Sequence, residues 1–362
     1  MNGRIFSAGE LQVPSVPKEN AFGFVRLACC LVVMYEHCVV LGGVRLPCLN
    51  LRGIAVDVFF ILSGFWVTLS FLQSGSVKEY ALKRVRRIFP QYALVVSASA
   101  VLLFSFSRLP LREYVSSAGL WKYLAANFCT LNFMHPNLPG VFEGLPLGGS
   151  VNGSLWTIKV EVGFYILLPF VVRAVLRLSK NMTGGGGSVV LAALYVLSVL
   201  WEVLMPRVTE RLGLPSALKN QLPAFLSYFA SGMAFAFYWK NLFPKLKVAF
   251  VSCAVLLAAS VLLDVPALSA AVVPFSLSVV VMSAAFFARP LFGTVKKDFS
   301  YGMYLVHYPV AMCVVSLGVF GENPAFALLA VLGISFLCAY LLEIFQNAFF
   351  ASGRKLCAEA DA

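Results

Sequence analysis

Arg26 and His37 lie in one apolar stretch, FVRLACCLVVMYEHC, with ten residues between them. Eleven steps of about 100° bring a helix back to within about 20° of its starting direction, so the two share a face about 16 Å apart along the axis. Ionisable groups inside a membrane-length segment are costly and mark a functional site by default. Neutral imidazole is the usual general base for a hydroxyl nucleophile, and a guanidinium at the mouth of the same stripe can anchor an anion. The pair therefore predicts an enzyme site, with proton handling at His37 and an anionic ligand at Arg26. The plainer alternative for a lone membrane histidine is a helix–helix hydrogen bond.

Four further stretches carry chemistry-bearing residues. In RGIAVDVFFILSGF, Asp57 falls in the first turn of a second span, at a depth similar to His37. A carboxylate there could orient the imidazole, as a third group does in hydrolase triads, or could simply complement the positive end of its own helix. Ser63 and Gly64 nearby allow close helix approach. In YALKRVRRIFPQY, Arg84 and Arg87 are three apart and share a helical face. Planar guanidinium groups suit phosphate, although KRVRR also reads as an ordinary positive-inside stop signal. In NGSLWTIKVEVGFYILLPF, Glu161 sits at the outer start of a fourth span beside Trp156, with Lys159 as its alternative, structural partner. In DFSYGMYLVHYPV, Ser300, Tyr304 and His307 form one helical stripe, either functional or a packed polar seam. Glu36 is about 100° round the helix from His37 and is expected to face another helix.

These residues need a membrane scaffold, and the composition supplies one. The 362 residues are 60% hydrophobic and 12% charged, against about 25% charged in soluble domains, with a mean hydropathy of +0.85. We read ten spans, near 22–41, 54–72, 89–106, 160–178, 188–205, 223–239, 247–263, 267–288, 300–320 and 325–346. The fold class is an all-α polytopic membrane protein. Residues 1–21 form a cytoplasmic N-terminal segment without a cleavable signal, 22–346 the transmembrane domain and 347–362 a cytoplasmic tail. Placing the N-terminus inside puts nineteen of the 28 Lys and Arg on the cytoplasmic side, the asymmetry that membrane topology follows. Both termini are then cytoplasmic.

The stretch 118–134 is apolar enough for an eleventh span, but crossing there would put Arg173, Arg177 and Lys180 outside. It is expected to be an interfacial helix in a long external loop, 107–159, with Trp121, Tyr123 and Phe128 at the interface. Gly184–Gly187 reads as an inside linker. The net charge of +12 is scattered in short clusters between apolar runs, which argues against nucleic acid. Most of the nine cysteines lie in spans, where a thiol is a small apolar residue. Only Cys48 and Cys129 fall in external loops and could be bridged, and no spacing suggests a metal.

In this order, Arg26-x10-His37, GIAVDVFFILSGF, Arg84-xx-Arg87 before IFP, SLWTIKVEVGFY and SYGMYLVHYP resemble the acyltransferase-3 family of integral membrane acyltransferases, over nearly the whole chain. The resemblance implies acetyl-CoA or another acyl-CoA as co-substrate, with no permanently bound cofactor, and a sugar hydroxyl of a surface polysaccharide or its lipid-linked precursor as acceptor. It implies His37 as the catalytic residue, and we place Asp57 and Glu161 with it from their positions in the spans. Arg26, Arg84 and Arg87 would hold the donor, and Tyr304 and His307 are assigned to the same site. Trp156 and Glu36 are assigned to the acceptor. His37 would deprotonate the acceptor hydroxyl or form a transient acyl-imidazole. Val162 is a departure, since relatives often carry a second acidic residue there. No stretch resembles the SGNH-type hydrolase domain that some members carry, so the chain is expected to complete transfer itself or with a separate polysaccharide-biosynthesis partner. The expected location is the bacterial inner membrane.

The competing readings are a secondary transporter with a His/Asp/Glu proton relay, against which stand the missing internal repeat and the uninterrupted spans, and the same chemistry on a small-molecule or lipid acceptor.

Overall fold

The computed structural model describes residues 16–17, 19–47, 51–181, 186–287 and 297–360, with the backbone alone for Asn181 and 351–360. Its helices are α1 Phe22–Gly42, α2 Arg52–Leu72, α3 Val77–Leu102, α4 Leu111–Ser116, α5 Ala118–Phe128, α6 Trp156–Asn181, α7 Gly186–Arg211, α8 Leu226–Phe237, α9 Trp239–Leu242, α10 Leu246–Leu263, α11 Pro266–Phe287, α12 Ser300–Ser316, α13 Val319–Glu322 and α14 Pro324–Ala360. Among the described residues the one β pairing is an isolated bridge between Ser107 and Val141. Eight of the helical segments are long and apolar enough to cross a membrane. The other two predicted spans are shorter: α8, led in by a 3-10 turn from Leu222, and α12 with 17 residues. The chain is an all-α polytopic membrane protein.

Several boundaries differ from the sequence reading. Helix α3 starts at Val77 rather than near 89, because the basic stretch is itself helical, with Glu79 and Lys83 paired one turn apart at 2.6 Å. Arg84 and Arg87 therefore sit on the helix, not before it. Helix α14 continues to Ala360, through the stretch expected to be a tail. Gly186 and Gly187 begin α7, while Gly184 and Gly185 lie outside the described residues. The candidate eleventh span resolves into α5, 11 residues long, about 16 Å and so too short for a hydrocarbon core of about 30 Å. Trp121 and Phe128 are exposed as expected, but Tyr123 is buried.

By its contacts the chain divides into two units. The first comprises Met1–Val25, Gly53–Arg84 and Val160–Lys296. Within it the backbones of α2 and α8 touch: a Cβ on Gly64 would run into the Phe229 carbonyl, and one on Gly232 into the Ile61 carbonyl. Small residues are what permit this approach between membrane helices. The Phe164 and Phe229 rings stack at 4.2 Å beside this crossing, and Ser198 and Ser227 share a hydrogen bond of 3.0 Å between α7 and α8.

The second unit comprises Arg26–Arg52, Val85–Lys159 and Lys297–Ala362. Gly302 of α12 packs closely against Ala339 of α14, where a Cβ on Gly302 would come within 3.0 Å of the Ala339 Cα and Cβ. The 107–159 region is folded onto α3 by polar groups: Tyr114 donates to the Ala100 carbonyl at 2.7 Å and Tyr92 to the Asn127 carbonyl at 2.8 Å. Asn127 in turn donates to the carbonyls of Tyr123 and His135. In an apolar surrounding each of these backbone oxygens needs such a donor.

Candidate active site

The second unit brings His37 and His307 together. His37 Nδ1 lies 2.9 Å from His307 Nε2, and the two rings stack with centroids 5.1 Å apart. The partners of His307 fix the protons. Its Nδ1 is 2.8 Å from the Tyr304 carbonyl and 3.3 Å from that of Met303. Carbonyl oxygens only accept, so Nδ1 carries the hydrogen and, in the neutral ring, Nε2 is the acceptor. His37 Nδ1 must then donate to it. The unprotonated nitrogen of His37 is consequently Nε2, the atom that can take a proton from a substrate. His37 is 9% exposed and His307 fully buried, so water does not compete for the bond between them. The Tyr308 ring stands edge-on to His37, at 5.3 Å between centroids.

The position of His307 follows from Pro309. Proline has no N–H, so the carbonyl four residues earlier, on Leu305, loses its helical donor. Asn152 replaces it, its Nδ2 donating to the Leu305 carbonyl at 2.7 Å. The same side chain accepts from the hydroxyl of Ser154 at 2.7 Å, which turns the chain into α6. Thr157 and Tyr304 share a hydroxyl–hydroxyl hydrogen bond of 2.8 Å, and Tyr304 also donates to the Ser154 carbonyl at 3.3 Å. The NGSLWT stretch is thus the clamp on the histidine-bearing part of α12.

At the other end of the α1 stripe, Arg26 Nη1 meets Asp298 Oδ2 at 3.1 Å, both side chains 24% exposed. Asp298 Oδ1 accepts from the Ser300 amide at 3.1 Å and from its hydroxyl at 2.5 Å, capping α12. One carboxylate therefore ties Arg26 to the start of the helix that carries His307. Cys30 adds a contact to the Ser300 carbonyl at 3.4 Å.

The remaining predicted residues are placed as follows. Asp57 belongs to the first unit, hydrogen-bonded to Tyr228 with Glu202 as a neighbouring charge. The side chain that bonds the His37 ring in the second unit is His307. Glu36 is buried and accepts the amides of Leu51 at 2.5 Å and Arg52 at 3.0 Å. Its carboxylate satisfies the first donors of α2 instead of facing an acceptor. Tyr304 and His307 bond protein groups, Tyr304 through Thr157 and Ser154 and His307 through the Tyr304 carbonyl and His37. Glu161, in the first unit, accepts from the Tyr165 hydroxyl. The Lys159 ammonium, in the second unit, sits over the Phe133 ring at 4.4 Å. Arg84 donates to Ser70 at 3.1 Å and lies over the Tyr165 ring at 5.7 Å in the first unit. Arg87 is exposed on the second-unit part of α3, and Trp156 is half-buried at the start of α6. Cys129 is an exposed free thiol, and Cys48, its expected partner, lies outside the described residues. Among the described residues no cluster of three His, Cys, Asp or Glu could hold a metal.

Sequence reasoning missed Asp298 and Asn152. The signal for Asn152 was available: a proline inside an apolar helix leaves a carbonyl that some polar side chain must serve.

Comparison with known proteins gives the arrangement its setting. A family described as an acyltransferase domain matches residues 20–344. The chain is 28% identical to an O-acetyl transferase of Shigella phage Sf6 over 332 residues, 87% of this chain and 91% of that protein. It is 27% identical to nodulation protein 10 of Rhizobium leguminosarum bv. viciae, over 42% of this chain and 44% of that one. It is 25% identical to the peptidoglycan O-acetyltransferase OatA of Listeria monocytogenes, over 35% of this chain and 21% of that one. No solved structure matches the chain. With a family match running from before α1 into α14, over both halves of the histidine pair, the chain belongs to the acyltransferase-3 family of integral membrane acyltransferases.

Proposed function

We propose that the chain is an O-acetyltransferase of the bacterial inner membrane, with both termini in the cytoplasm, moving an acetyl group from acetyl-CoA to a sugar hydroxyl of a surface polysaccharide or its lipid-linked precursor. The observation that carries this reading is the His37–His307 hydrogen bond of 2.9 Å, whose polarity leaves His37 Nε2 as a base inside a family acyltransferase. The names of the phage and Listeria relatives support oxygen as the acyl-accepting atom and a glycan as the acceptor.

In the proposed reaction His37 Nε2 takes the proton of the acceptor hydroxyl as its oxygen attacks the thioester carbonyl. The new C–O bond forms, the C–S bond breaks, and the proton on Nε2 passes to the departing CoA thiolate. While His37 is cationic, its Nδ1–H bond to neutral His307 becomes charge-assisted and stronger, so His307 stabilises the transition state as well as setting the tautomer. Arg26 and Arg87 take the donor's phosphates, with guanidinium geometry suited to them. The phosphate-bearing end then lies about 16 Å along α1 from the reacting carbonyl. The acceptor approaches by the 107–159 region, where Trp121, Phe128 and Phe133 are exposed and aromatic faces can pack on sugar rings. A separate polysaccharide-biosynthesis partner would deliver that acceptor.

The test is thiol release from acetyl-CoA by the purified protein in lipid nanodiscs, with and without a glycan acceptor, paired with mass spectrometry of surface polysaccharide from cells with and without the gene. Acceptor-dependent thiol release and loss of O-acetyl groups are expected. Unchanged glycan acetylation would defeat the polysaccharide acceptor, and solute flux without thioester consumption would defeat the enzyme.

A further inference from the structure

Tyr308 is a large side chain only 1% exposed, and among the described residues its hydroxyl has no hydrogen-bond partner. That is unusual, because buried polar groups are nearly always paired and an unmet donor weakens the fold. Three polar groups near it have other partners: Tyr304 bonds Thr157 and Ser154, His307 the Tyr304 carbonyl, and Asn152 the Leu305 carbonyl, while the Arg52 guanidinium acts on both Tyr308 and His37 through its charge. The ring stands edge-on to His37, at 5.3 Å between centroids. It is also walled by Gly153, where a Cβ would come within 2.8 Å of both the ring and the hydroxyl oxygen. Glycine at 153 leaves the room in which the phenol sits.

We infer that Tyr308 is a further catalytic residue, whose hydroxyl donates to the oxygen of the acyl carbonyl while that oxygen carries negative charge. The inference rests on the acyl-transfer reading above. As the acceptor oxygen adds to the thioester carbon, with its proton moving to His37 Nε2, the carbonyl π bond becomes a lone pair on oxygen. The Tyr308 O–H donates to that oxyanion without giving up its proton. When the C–S bond breaks, the carbonyl re-forms and the thiolate takes the proton from His37. No other reactant is needed. A donor with nothing to bond in the resting protein and a partner only in the transition state favours the transition state selectively, which is how such groups raise kcat. A neutral phenol also places no charge beside the imidazole that must become cationic.

The experiment compares wild type with Tyr308→Phe in nanodiscs, following thiol release from acetyl-CoA and the melting temperature. Loss of one oxyanion donor lowers kcat by about 10²–10³. The KM for acetyl-CoA should stay within about threefold, and the melting temperature should be unchanged or raised, because an unpaired buried group is gone. Full kcat in the variant would overturn the inference alone. So would a fall in kcat that comes with a fall in melting temperature, which would make the hydroxyl a structural donor. Absence of thioester consumption by the wild type would overturn the acyl-transfer reading, and the role of Tyr308 with it.

Discussion

Asp298 holds Arg26 with one carboxylate oxygen, at 3.1 Å, and caps α12 with the other. The residue that anchors the mouth of the α1 stripe is therefore mechanically linked to the helix bearing His307. Asp298→Asn keeps an oxygen for the Ser300 amide but removes the ion pair, whereas Asp298→Ala removes both. Thermal melts should show the alanine variant less stable than the asparagine variant by about 1 kcal/mol, the usual worth of a cap. Equal stabilities would remove the capping role.

His307 should act on turnover, not on binding. His307→Phe keeps a flat ring but offers no acceptor to His37 Nδ1, so the tautomer is no longer fixed. By analogy with triads whose orienting member is changed, kcat should fall by at least about 10², while the KM for acetyl-CoA stays within about threefold. Steady-state kinetics on the purified variant check this, and a kcat near that of wild type would show the histidine pair to be packing alone.

Asn152 and Pro309 should be coupled. Asn152→Ala leaves the Leu305 carbonyl without a donor and should cost about 1–3 kcal/mol. Pro309→Ala restores a helical N–H to that carbonyl, so in its background the loss of Asn152 should cost distinctly less. A double-mutant cycle on thermal or denaturant stability measures the coupling. Additive effects would show that Asn152 serves some other group.

Glu36 separates a structural from a substrate role. Glu36→Gln keeps one carbonyl oxygen for the α2 amides and should destabilise by about 1 kcal/mol, with no change in the acceptor KM. A raised acceptor KM at unchanged stability would return Glu36 to the acceptor site.

The sequence made α1 legible because about three helical turns bring Arg26 and His37 onto one face within a single segment. Gly64 as a close-approach residue was also readable, since small residues in membrane helices have few other uses. Pairings between segments were not legible. His307 showed as a member of a polar stripe, but nothing in the spacing joins residue 37 to residue 307, so a carboxylate at residue 57 looked the better partner for the imidazole. Glu36 is an intramembrane carboxylate, a type that usually marks a site, but the two amides it accepts lie at the start of α2, 15 and 16 residues on, where spacing gives no signal. The start of α3 at Val77 was hidden because a charged run marks no apolar span, although Glu79 and Lys83 have the spacing of a helical ion pair.

The most direct measurement is the rate of acetyl transfer from labelled acetyl-CoA to a glycan acceptor by purified His37→Ala, with its melting temperature as the check on folding. The account predicts a variant that inserts and folds, with a melting temperature lowered modestly by the loss of the donor to His307 Nε2, and with kcat lower by about 10³ or more, within the usual worth of a positioned base. Transfer at the wild-type rate by folded His37→Ala would contradict it.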